Sequence, residues 1–84
     1  MSRIIASVHP FVMNQEIKVY NQQGECVKTV GVKINEIGET CFNLCEDFNI
    51  NQVILVGDKI YSEKIKKNFN TKFNEFGIEI IIIS

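Results

Sequence analysis

Residues 52–83, QVILVGDKIYSEKIKKNFNTKFNEFGIEIIII, decide how this 84-residue chain folds. Gln52 to Gly57 is apolar at successive positions, the mark of an interior parallel strand buried on both faces. Asp58 is placed to cap a helix along which Tyr61, Ile65, Phe69, Phe73 and Phe76 recur at spacings of three and four. The opposite face of that helix carries Lys59, Lys64, Lys66, Lys67 and Lys72, and Gly77 stands where it should stop. Ile78 to Ile83 then reads as a second strand. Strand, helix and strand in succession make a crossover between parallel neighbours.

The residues before this unit supply the rest of a sheet. Asn35 is an expected N-cap with Glu36 and Glu39 in the first turn, and Ile34, Ile37, Cys41, Leu44 and Phe48 form the stripe of a helix ending near Asn49. Further back, Glu16 to Asn21 alternates, with Ile17 and Val19 opposed to Lys18 and Tyr20. The turn NQQGE (21–25) leads into a third strand from Glu25 onward. Val27 and Thr29 share a face that Val30 and Val32 do not, which predicts a bulge or bend at Gly31. Arg3 to His9 is β-rich and is ended by Pro10. The expectation is one α/β domain over residues 1–84, in the order β-β-β-α-β-α-β.

That order resembles the core of the ribonuclease H-like superfamily, which includes the actin-like ATPase halves. The resemblance spans the whole chain and is one of element order. It implies a five-stranded mixed sheet, order 3-2-1-4-5, with the first strand central and the last at an edge. Both crossovers move the same way across such a sheet, so their right-handedness sets two helices on one face. With the chain closing on its last strand, the other face is expected to lie open. It would present Ile5, Ile54, Val56, Ile81 and Ile83 beside Ser7, His9, Tyr20 and Glu79. Covering several hundred Å² at ~25 cal/mol per Å² is worth several kcal/mol, comparable with the stability of a small domain. An interface formed by Ile5, Tyr20, Ile54, Val56, Ile81 and Ile83 is therefore expected, to a second copy or a protein partner. The last strand, with no Pro or Lys to discourage pairing, offers an edge as a second route. A competing arrangement has residues Pro10 to Gln15, including Phe11, Val12 and Met13, folded over the open face.

Composition narrows the function classes. A formal net charge of −1 creates no field to draw polyanions, so nucleic acid is disfavoured. The longest apolar runs are far too short for a membrane span, and MSRIIASVHP lacks a signal-peptide core. Three cysteines without a disulfide-framework spacing suit a reducing compartment, and a cytoplasmic location is expected. Heavy use of Ile, Asn and Lys points to AT-rich coding, as in a low-GC bacterium or its phage.

A nuclease of the resembling superfamily needs clustered carboxylates for two metals, including an Asp in the first strand. Arg3 to His9 contains no acid. Glu39 and Asp58 stand where helper carboxylates would sit, and with His9 they form the runner-up ligand site of a degenerate enzyme or nucleotide binder. The better-supported role of Glu39 is to favour its helix dipole, and that of Asp58 is to cap its helix. His9 lies near Ser7 but lacks an orienting acid. Cys41 and Cys45 share a helix face, and with Cys26 and His9 they would make four zinc ligands. They lack the paired knuckles of structural zinc sites and read as buried thiols. VGDKIYSEK contains neither phosphate-loop nor dinucleotide motif, so no cofactor is expected. The strip Lys59, Lys64, Lys66, Lys67 and Lys72 is the only feature suited to nucleic acid, and Glu63 and Glu75 interrupt it. The leading expectation is a small non-enzymatic adaptor, inhibitor or assembly module.

Overall fold

Side-chain alternation sets the sheet. In the computed structural model, which describes residues 2–84, the strands are β1 (Arg3–Val8), β2 (Gln15–Tyr20), β3 (Cys26–Val32), β4 (Gln52–Gly57) and β5 (Glu79–Ile83). They form one mixed sheet in the order β3-β2-β1-β4-β5. The β1–β2 and β2–β3 pairs are antiparallel, and β1–β4 and β4–β5 are parallel. Two helices, α1 (Ile37–Phe48) and α2 (Lys59–Glu75), supply the crossovers. The α/β class, element order and strand order are those read from the sequence.

One face of the sheet makes the core. Ile4, Ala6 and Val8 of β1, Ile17 and Val19 of β2, Val53 and Leu55 of β4, and Ile80 of β5 are buried. Ile37, Cys41 and Leu44 of α1 and Ile65 and Phe73 of α2 join them in a single cluster, so both helices cover the same face. Phe42 and Cys45, outside the expected α1 stripe, are buried too. Phe42 faces α2, where its ring lies 5.7 Å from Phe73 and 5.0 Å from Phe76. A helix wedged between a sheet and a second helix buries a wider arc than one stripe describes. Gly38 makes this approach possible, because a Cβ there would overlap the Phe69 ring.

Local chemistry fixes the ends of the elements. The Asp58 carboxylate accepts from the Tyr61 N–H at 2.8 Å, capping α2 as expected. Past α1, Asn49 adopts a left-handed conformation, φ 54°, and the Ile50 N–H returns to the Cys45 carbonyl at 2.8 Å. Gly57, with φ 133°, ends β4 against β1, where any Cβ would strike the Val8 carbonyl and the His9 ring. The Asp58 N–H donates to that same carbonyl at 2.8 Å.

Four expectations need correction. The irregularity in β3 lies at Val27, not Gly31: Val19 pairs with Lys28 and Tyr20 with Cys26, whereas Gly31 pairs regularly with Glu16. Val30 and Val32 both need the core side, so the phase slip is taken up ahead of them. Asn35 is not a cap; it sits in a 3₁₀ turn, Ile34–Glu36, where the Glu36 carboxylate accepts from the Lys33 N–H at 2.9 Å. Such a turn brings residues three apart into line, here Ile34 and Ile37. Phe48 and Phe76 were expected in buried stripes but are 41% and 56% exposed, because each falls at the end of its helix beyond the sheet.

Candidate functional site

The uncovered face of the sheet is built by the residues that alternate with the core. Register places Ile5 beside Ile54 and Ile54 beside Ile81, a row of isoleucines crossing β1, β4 and β5. The next row holds Ser7, Val56 and Ile83 in the same way. Ile5, Ile54, Val56 and Ile81 are half-buried by one another and Ile83 is 51% exposed, yet no helix lies over them. These side chains form one contiguous block on three adjacent strands. The largest apolar patch on an ordinary monomer is about 300–600 Å² and is often functional.

Polar groups frame the block. Across β1 the face continues into Lys18 and Glu16 of β2, whose side chains pair at 3.4 Å. Glu16 raises the Lys18 pKa, first by hydrogen bonding and then by its charge. Tyr20, proposed as an interface residue, lies half-buried opposite Arg3, separated from β5 by β1 and β4. At the start of β5, Gln52 donates to the Glu79 carboxylate at 3.4 Å. The aliphatic block therefore runs to the outer strand on one side and to a charged border on the other.

The loop between β1 and β2 leaves this face bare. Phe11, Val12 and Met13 are 100%, 55% and 83% exposed, so the arrangement in which residues 10–15 cover the sheet is overturned. Gln15 explains why. Its amide is buried, accepting from the His9 N–H at 2.7 Å and donating to the His9 and Val12 carbonyls at 2.9 and 2.8 Å. These bonds fix the loop's backbone at the strand ends. Sequence reasoning passed over Gln15, although a glutamine opening a strand just after a proline-containing loop is suited to satisfying that loop's backbone.

Of the runner-up residues, His9 and Asp58 adjoin at the ends of β1 and β4, where the Asp58 N–H donates to the Val8 carbonyl, and Glu39 engages Lys72 instead. Glu39 pairs with Lys72 at 3.4 Å on the helical side, Asp58 caps α2, and the exposed His9 ring packs against Gly57. Among the described residues no group of three or more His, Cys, Asp and Glu side chains is placed to hold a metal. Cys41 and Cys45 are buried, and burial pushes the Cys45 thiol up to about 12 and Cys41 higher still. Cys26 lies apart from them, exposed on β3. The lysines of α2 divide between settings. Lys64 lines a cleft with Ile34, Asn35 and Gly38 beside α1, Lys66 borders β5, and Lys59 and Lys67 are exposed. Lys72 is drawn over the Phe42 ring at 4.3 Å from its centroid.

A cleft of ≈ 530 Å³ opens at the other end of the sheet, between the C-terminal ends of the two helices. Glu46, Asn49, Asn51 and Gln22 make its lining largely polar, with Ile50, Ile78 and Phe76 behind. No helix among the described residues is long and apolar enough to cross a membrane. Neither a protein-family model nor a curated protein matches the sequence.

Proposed function

We propose that this protein is a small non-enzymatic binding or self-assembling module that acts through the uncovered sheet face and its outer strand. The observation that carries this reading is the aliphatic block of Ile5, Ile54, Val56, Ile81 and Ile83, contiguous across three strands and covered by no described element. Desolvating such a block is favourable at ~25 cal/mol per Å² of apolar surface. The β1–β2 loop supports the reading, since its exposed Phe11, Val12 and Met13 give the face no cover. An adaptor or inhibitor working in this way needs no cofactor.

The likeness in element order to the ribonuclease H-like superfamily is kept here as a proposal about ancestry. It lends no chemistry, because β1 carries no carboxylate. Sedimentation of the wild-type protein beside Ile81→Lys and Ile83→Lys tests the reading. Association in the wild type, lost in both folded variants, is the expected result. A folded monomer in all three, with no partner retained on the wild type but lost on the variants, would sink it.

A further inference from the structure

We propose that β5 pairs antiparallel with β5 of a second copy, about a two-fold axis at Ile81, joining two sheets into one. This rests on the self-assembly reading above and specifies which surface makes the contact and in what register.

The backbone of β5 carries the argument. Glu79 donates its N–H to the Asn51 carbonyl at 2.8 Å and sits opposite Gln52 in the parallel ladder. Alternation along the strand then turns the amides and carbonyls of Glu79, Ile81 and Ile83 towards β4, and those of Ile80 and Ile82 outward. The outward groups flank Ile81 symmetrically. A second copy turned about a two-fold axis at Ile81 sets Ile80 against Ile82 of the other chain, and each such pair exchanges both of its hydrogen bonds. The whole strand Glu79–Ile83 is paired in this register, and each Glu79 faces Ile83 rather than the like charge of its counterpart.

Both faces of the joined sheet accept this arrangement. On the open face the row Ile5, Ile54, Ile81 ends at the free edge, and the axis continues it into the same row of the second copy. On the helical face an open cleft of ≈ 360 Å³ lies beside the edge between Lys66, Asn70 and Asn74 of α2 and Ile80, space for side chains of the second copy. The opposite edge of the sheet is guarded by contrast. β3 carries the Val27 irregularity, Lys28 and Gly31, all of which discourage pairing, whereas β5 is EIIII with neither bulge nor lysine. A second copy suits this edge better than an arbitrary peptide because the edge is its own complement.

Cysteine scanning reads the register directly. In a Cys26→Ser background, Glu79→Cys, Ile81→Cys, Ile83→Cys and Ile54→Cys are oxidised mildly and resolved on non-reducing gels. Only position 81 faces itself across the axis, as a non-hydrogen-bonded pair at disulfide distance, so its yield should exceed the others by about tenfold. Ile82→Pro removes an outward N–H that β4 does not use, and should abolish the dimer in sedimentation while circular dichroism stays native. If the protein dimerises but Ile54→Cys links best, or every position links equally, the edge register is wrong while the self-assembly reading stands. A chain that stays monomeric at millimolar concentration and links at no position overturns both.

Discussion

The two faces of this sheet are cut from the same strands and differ in what lies over them. Leu55 and Ile54 are neighbours on β4; Leu55 is 1% exposed beneath the helices, while Ile54 is half-buried on the open side. Ile80 and Ile81 repeat the contrast on β5. Hydrophobicity alone does not separate the two faces here, since both are rich in isoleucine. What separates them is that both crossovers turn the same way, which commits α1 and α2 to one side. The helical face stabilises the fold, and the other lies uncovered.

The sharpest test of that division is a pair of truncations read by urea unfolding in dilute solution. Phe73→Ala, which removes a ring packed on Phe42 and Phe69, should cost about 3–5 kcal/mol, and Leu55→Ala about 2–5 kcal/mol. Ile54→Ala should cost less than about 1.5 kcal/mol under the same conditions. An equal loss at Ile54 and Leu55 would break the comparison, for it would mean that the open face is already packed in the monomer.

A smaller effect probes how closely the covered side is fitted. Gly38→Ala should destabilise by about 1–3 kcal/mol because the new methyl meets the Phe69 ring, and Phe69→Leu in the same chain should recover part of the loss. Full additivity of the two substitutions would rule that contact out.

Alkaline titration separates the faces through their thiols. The unfolded thiols ionise near the ordinary value of 9.0, whereas burial holds Cys45 to about 12 and Cys41 beyond it. The folded state therefore binds more protons above pH 9, and stability should fall from about pH 9 upward, by up to ~1.4 kcal/mol per pH unit for each thiol. Cys41→Ala with Cys45→Ala should flatten that slope. Cys26 should react with a thiol reagent in the folded protein while the other two wait for unfolding, a difference visible by mass spectrometry. The smallest effect belongs to the exposed pair on the helices: Glu39→Gln, which frees Lys72, should change stability by less than about 1 kcal/mol and lose its effect in high salt.

The strands and helices were legible because each announces itself within a few residues. Ile17 and Val19 alternate with Lys18 and Tyr20, and the spacing of Ile65, Phe69 and Phe73 repeats a helical turn. Asp58 and Gly77 marked the ends of α2 through chemistry local to the backbone. The candidate face was legible for the same reason, once handedness had assigned the helices to one side. The burial of Cys41 and Cys45 was legible too, but that of Phe42 was not, since it depends on α2 lying alongside α1. Nor was the role of Gln15, whose partners belong to a loop whose shape local pattern does not specify.

The strand order was what the resemblance in element order implied, whereas periodicity and backbone chemistry alone were enough to determine the order of elements and which side chains share a face. Those properties follow from interactions between residues close along the chain and from the handedness of L-amino acids. Only the tertiary structure decided that Gly38 admits Phe69, that Lys72 leaves the lysine strip for Glu39, and that Phe11 to Met13 turn away from the sheet. Each of these depends on where a distant element comes to rest, and the packing of a whole core sets that position.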